Sequence, residues 1–139
     1  MKYIMFLFAI VLSVATTTHA QSVTTMALVA GDTCTNTDTV DKYLPQFSGG
    51  YSGICIAPFV NKVSGTVAGK VYLYESELSS GAWGSPIDSL TLSNTSVNTK
   101  VFKLQAPCSN FYRLQFTSSG TTVYQVRVRY APKIFQITP

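Results

Sequence analysis

The stretch FYRLQFTSSGTTVYQVRVRY, residues 111–130, carries the clearest structural signal in the chain. Two runs, 111–118 and 121–130, alternate apolar and polar residues on either side of Ser119-Gly120. Alternation with period two is the signature of a half-buried strand. A three-residue loop Ser119-Gly120-Thr121, with glycine in the left-handed position, joins the runs as a hairpin. In that register Phe116 opposes Tyr124, Leu114 opposes Val126 and Tyr112 opposes Val128. All six side chains then share one apolar face. The other face pairs Gln115 with Gln125 and Arg113 with Arg127, with Arg129 beside them. A slip of one residue would exchange the two faces, so the burial pattern favours this register.

The same grammar extends backward through Val63 and beyond. Strand-like runs fall at Ser22–Ala30, Ile54–Val60, a run opening at Gly65 and Gly69 and reaching about Glu75 with Val67, Val71 and Leu73 on one face, Ser89–Ser93 and Val101–Leu104. The run Cys34–Val40 is polar and β-branched, and suits either a strand or an ordered loop. Gly31-Asp32, Ser79-Ser80-Gly81, Gly84-Ser85-Pro86 and the polar stretch Asn94–Thr99 punctuate them as turns. Pro58 marks an edge or a bulge. Tyr43, Leu44, Phe47 and Tyr51 anchor an otherwise loop-like 41–53. The spacing predicts roughly seven to nine short strands with no helix after the leader. The expected fold is all-β: a single antiparallel β-sandwich, jelly-roll or immunoglobulin-like, with a closed barrel as the second choice.

Composition agrees. Of 139 residues, 46% are apolar and only 12% charged, which suits strands and polar turns better than helices or disorder. The length fits one domain, 21–139, behind a leader. Residues 1–20 have the layout of a signal peptide: Lys2, an apolar run from Tyr3 to Ala15, then Thr18-His19-Ala20 ahead of Gln21. That run is shorter than the ~20 residues a membrane span needs, so no stable span is expected in the mature chain. The single histidine, His19, lies in the leader. A processed chain has no imidazole for acid–base or metal chemistry, so no enzyme activity and no cofactor are expected. A net charge of +4 is too mild for a specific nucleic-acid partner.

A family likeness appears at Ser64–Leu73 (SGTVAGKVYL), Trp83, Ile87–Leu92 (IDSLTL), Phe111–Leu114 and Ser118–Thr121, with Gly31-Asp32-Thr33 and residues 35–39 (TNTDT) upstream. These stretches resemble small single β-sandwich virion proteins of tailed phages infecting Bacteroidetes, including crAss-like phages. The likeness covers most of the mature chain and consists of turn and strand patterns. Where that family often has Asp-Gly before an aromatic, this chain has Ser80-Gly81-Ala82-Trp83. The resemblance implies a non-enzymatic structural protein, a capsid auxiliary, decoration or fibre module. Such a protein works through contacts with other virion subunits or with its own copies as a homo-oligomer, and it carries over no catalytic residues. An export leader fits poorly with cytoplasmic particle assembly. It supports a second reading, a secreted carbohydrate-binding or adhesion module with a surface glycan as partner. The expected location is accordingly the virion, or outside the cell after leader cleavage.

Six groups of residues stand out as candidate sites. Cys34, Cys55 and Cys108 are an odd set; export permits one disulfide, with Cys34–Cys108 favoured and Cys55 left as a buried thiol, and the plainer reading is three unpaired small core residues. Arg113, Arg127 and Arg129, clustered on one hairpin face, would suit an anionic partner; the plainer reading is splayed arms in water. Trp83 with Tyr72 and Tyr74, and Tyr51 nearby, would form an aromatic contact surface for sugars, against a plain core-edge role for Trp83. Asp32, Asp38 and Asp41 offer calcium-type oxygens at a spacing that matches no EF-hand loop, which favours solvated turn residues. The tail Ile134, Phe135 and Ile137 is a candidate subunit contact, or a last strand. Asn94-Thr95-Ser96 is a formal glycosylation sequon.

Overall fold

A computed structural model describes residues 27–47, 51–105, 109–119 and 122–134. These residues form nine strands and no helix: β1 (Ala27–Thr35), β2 (Thr39–Tyr43), β3 (Tyr51–Gly65), β4 (Gly69–Ser76), β5 (Asp88–Leu92), β6 (Val97–Thr99), β7 (Phe102–Gln105), β8 (Phe111–Ser118) and β9 (Thr122–Ile134). They build two antiparallel sheets that do not close into a barrel. One runs β1-β9-β3-β6, with β7 also on β3; the other runs β2-β8-β4-β5. The fold is therefore the β-sandwich expected from the alternation.

Period two decides what goes inside. On β8, Tyr112, Leu114 and Phe116 are buried, and on β9 so are Tyr124, Val126 and Val128. Val71 and Leu73 of β4 and Ile54, Ile56 and Val60 of β3 complete the core between the sheets. Burying a side chain of this size contributes ~1.5–3 kcal/mol relative to exposure.

The expected hairpin does not form. β8 pairs with β2 and β4, whereas β9 pairs with β1 and β3. Phe116 lies beside Val40 and Val71, and Tyr124 lies beside Cys34 and Lys62. The six apolar side chains do converge, but from opposite sheets. Alternation specifies an inward face, and an apolar partner across a core about 10 Å thick satisfies it as well as a ladder neighbour does. β8 and β9 therefore belong to opposite sheets instead of forming one hairpin.

Three local readings also change. Gly31-Asp32 does not end the first strand; β1 runs through it with a register shift between Val29 and Asp32. Pro58 is in a central strand rather than at an edge. On that side of β3, β7 pairs as far as Ile56 and β6 resumes at Phe59. The proline, which has no N–H, falls at the gap between them. Within the polar stretch 94–99, Val97–Thr99 forms strand β6. β9 extends into the tail as far as Ile134, which pairs with Tyr51. Phe135, Ile137, Cys108 and the leader 1–20 lie outside the described residues.

Candidate functional site

The outer face of the four-stranded sheet collects the exposed Tyr43 and the half-buried Tyr72, Tyr74 and Trp83. Antiparallel register sets its rows. Tyr43, Arg113 and Tyr74 are cross-strand neighbours, as are Asp41, Gln115, Tyr72 and Ser89. A third row holds Thr39, Thr117, Lys70 and Thr91. Side chains two apart on a strand point to the same side, so these rows form one surface.

Arg113 is its centre. The guanidinium carbon lies 4.5 Å from the Tyr74 ring centroid and 5.0 Å from that of Trp83. Its Nη1 donates to Asp41 Oδ2 at 3.3 Å. Two ring faces and a carboxylate hold the side chain in place, leaving it 14% exposed. A cation over an aromatic face is attracted by the ring quadrupole, by ~0.5–2 kcal/mol per contact depending on desolvation. Tyr43, itself 56% exposed, extends the rings: its centroid is 6.0 Å from that of Trp83, with the planes at 50°. Tyr72 lies 6.4 Å from Tyr74 on the other side.

Trp83 reaches this face from the loop between β4 and β5, and local chemistry places it there. Gly81 has φ of +38° and its N–H donates to the Leu78 carbonyl at 3.1 Å. Ser76 Oγ donates to the same carbonyl at 3.0 Å, and Ile87 N–H returns to Leu73 O at 2.8 Å. The indole folds back over Gly81; a Cβ there would meet its Nε1 and Cε2, and Cδ1 at 2.9 Å. Glycine is required both for the backbone angle and for the ring's position.

Polar groups are interleaved with the rings. Tyr74 donates its hydroxyl to Gln115 Oε1 at 3.3 Å, which leaves the Gln115 amide N–H groups free to donate. Arg113 Nε and Asp41 Oδ1 have no hydrogen-bond partner among the described residues. Those two atoms are shielded from solvent, so the donors that the face presents beside its rings are the Gln115 amide N–H groups.

Sequence reading had placed Trp83, Tyr72 and Tyr74 on one surface, and the structure brings them there. Tyr51, in β3 of the other sheet, does not join them. Tyr43 and Gln115 are site residues that the sequence does not single out, and Asp41 stands out there only as a calcium-type oxygen. The alternation of Asp41 and Tyr43 in a strand beginning at Thr39 was the available signal. The arginine trio is corrected. Because β8 and β9 belong to different sheets, Arg113 joins the aromatic face, while Arg127 and Arg129 lie on β9 of the other sheet.

The expected Cys34–Cys108 bridge is not made, because Cys34 is a free, fully buried thiol. Its Sγ donates to the Asp38 carbonyl. Burial pushes the thiol pKa up, offset only in part by the neighbouring Tyr124 hydroxyl, the opposite of what a reactive thiolate needs. Burial likewise pushes Tyr124 up, assisted by Cys34. Cys55 is a free, half-buried thiol. The three aspartates do not converge. Asp32 faces Lys42 at 3.4 Å, Asp41 faces Arg113, and Asp38 accepts from Thr35. Among the described residues, no three His, Cys, Asp or Glu side chains gather as a metal site. Asn94 Oδ1 accepts from Lys62 Nζ at 2.8 Å and from Val67 N–H at 3.1 Å, so this side chain latches a loop.

No protein-family model matches the chain, and no curated protein sequence does. Solved structures resemble its fold. The Yersinia pseudotuberculosis-derived mitogen superposes over 82% of this chain and 89% of its own, with a TM-score of 0.52 and 8% identity. A CBM4 structure aligns over 81% of each chain, with a TM-score of 0.49 and 12% identity. The CBM22-1 and GH10 modules of Clostridium thermocellum endo-1,4-beta-D-xylanase 10B, complexed with xylohexaose, align over 83% of this chain and 26% of theirs (TM-score 0.47, 17% identity). At these identities the likeness is one of architecture, and the chain shares a two-sheet β-sandwich with the mitogen.

Proposed function

We propose that this protein is a non-enzymatic binding module that holds carbohydrate against the outer face of the four-stranded sheet. One observation carries the reading: Arg113 gathers Tyr74 and Trp83 around itself, with Tyr43 and Tyr72 flanking, on a face that also presents Gln115 and Asp41. A pyranose has apolar C–H faces and an equator of hydroxyls. Rings accept the first, and planar amide, guanidinium and carboxylate groups accept the second. The Gln115 amide N–H groups, left free by the Tyr74 hydrogen bond, supply donors that a sugar hydroxyl matches. Pre-ordering by the Arg113–Asp41 pair lowers the entropy lost on binding. Affinity electrophoresis against a panel of neutral polysaccharides tests the proposal. Trp83→Ala should abolish retardation by any polymer that slows the native chain; undiminished retardation would refute the platform.

A second reading, a phage virion subunit, draws on Val97 and Val101. Both are 49% exposed, in and beside the short edge strands β6 and β7. Unpaired edges with apolar neighbours favour contacts with other subunits or with further copies. Mass spectrometry of purified particles tests it, and absence of the chain from them would defeat it.

A further inference from the structure

The outer face of the five-stranded sheet lies on the opposite side of the sandwich and carries different chemistry. Arg127 stands across from Phe59, and Arg129 across from Ala57. Lys103 and Cys55 form a pair one row further along. Arg127, Arg129 and Lys103 are all exposed. Arg129 is steadied over Phe59, with its guanidinium carbon 5.0 Å from the ring centroid. Next to Arg127 the strand pairing opens. Val29 pairs with Val128 and Asp32 with Val126, so two β1 residues, 30 and 31, stand against Arg127 alone. Such a bulge bends a strand and re-aims its side chains. Beside it is a groove of about 250 Å³ lined by Asp32, Thr33, Gln125 and Arg127.

The charges in this groove are not balanced from within. Ion pairs among the described residues engage Lys42, Lys100 and Arg113, and none engages Arg127, Arg129 or Lys103. The one carboxylate in the lining, Asp32, is directed to Lys42 and to the Thr33 N–H. It remains 55% exposed, with lone pairs available to a hydroxyl donor. The groove thus offers an arginine free of ion pairing, an amide, a hydroxyl and a carboxylate.

We propose that this groove is a second binding site, for an acidic sugar unit. Its anionic group lies on Arg127, with Arg129 adjacent, and its hydroxyls meet Gln125, Thr33 and Asp32. A planar guanidinium grips a carboxylate or sulfate with two parallel hydrogen bonds. The mixed lining favours a polymer carrying one charge per sugar among many hydroxyls. It disfavours nucleic acid, whose duplex carries a phosphate charge every ~1.7 Å and calls for a dense basic stripe. The site does not depend on the platform around Arg113, which belongs to the other sheet.

Affinity electrophoresis and calorimetry of the native chain with polygalacturonate test the site. Dextran sulfate serves as the sulfate arm, and fully methyl-esterified polygalacturonate as the uncharged control. Polygalacturonate or dextran sulfate should bind, and the relative affinities show which anionic group is preferred. Binding should weaken with added salt. It should fall at least about tenfold in Arg127→Gln/Arg129→Gln, recover only in part in Arg127→Lys/Arg129→Lys, which keeps the charge but not the fork, and persist in Trp83→Ala. Gln125→Ala, another surface change, should weaken it without altering the thermal unfolding midpoint. The proposal is overturned if the double glutamine variant binds like the native chain, if the esterified polymer binds equally, or if duplex DNA binds more tightly than either polyanion. Loss of binding in Trp83→Ala alone would assign acidic glycans to the other face and also overturn it.

Discussion

Arg113 shows how a single side chain acquires a role from its neighbours. In sequence it is one of three arginines on alternating strands. In the fold it is clamped by two rings and one carboxylate, so its charge is largely compensated and its contribution is positional. Gly81 acts one step further out, by leaving room for the indole of Trp83. Gly81→Ala should therefore displace the ring without altering any group on the face. Trp83 is the only tryptophan, so its fluorescence reports the change directly. We expect a shifted emission maximum, neutral-glycan affinity lowered about fivefold, or roughly 1 kcal/mol, and modest destabilisation from the strained backbone of about 1 kcal/mol. Unchanged emission would mean that the indole does not rest on Gly81. Trp83 was legible in the sequence as a platform candidate because lone exposed-turn aromatics are conspicuous. The Arg113–Asp41 pair was not, because those residues are 72 positions apart and nothing local links them.

At the scale of elements, β4 and β8 form the floor under that face, and their close approach depends on Gly69. It has φ of +131°, and a Cβ there would meet the Thr117 carbonyl oxygen, with the carbonyl carbon at 3.0 Å. Backbone cannot move aside as a side-chain tip can. Gly69→Ala should cost at least ~1–3 kcal/mol from backbone strain alone. Denaturant unfolding should show a lower midpoint with little change in slope; an unchanged midpoint would refute the tight approach. Most strands were readable from period two, but two readings failed for identifiable reasons. β6 is only three residues long, too short for any alternation to emerge from a polar loop. The pairing of β8 with β9 failed because a short, glycine-containing connection fits both a hairpin and a crossing between sheets. Choosing between them depends on β2 and β4, which compete for the edges of β8 from elsewhere in the chain.

Across the whole molecule, stability resides in the layer between the sheets. Phe116 is fully buried there, and Phe116→Ala should cost about 3–5 kcal/mol by chemical denaturation, a large share of a typical domain's ~5–15 kcal/mol. A smaller loss would mean that the core collapses around the vacancy. Alkaline pH should act on the same layer through Cys34 and Tyr124, cross-strand neighbours on β1 and β9. Their ordinary values are 9.0 and 10.0, and burial raises both in the folded state. The unfolded chain therefore loses protons first, so stability is fully present below pH 9 and falls as pH rises above it. The urea midpoint should decline from pH 9 upward, and Cys34→Ala should remove the first part of that decline; a flat profile would refute the coupling. The sequence by itself determined the inward and outward faces of most strands and hence the two-layer class, because side-chain alternation is built into the geometry of every extended residue. Tertiary structure alone decided which strands became neighbours. It thereby separated one arginine from the other two and produced two chemically different faces on opposite sides of one core, because strand pairing is a competition among distant segments that no local pattern records.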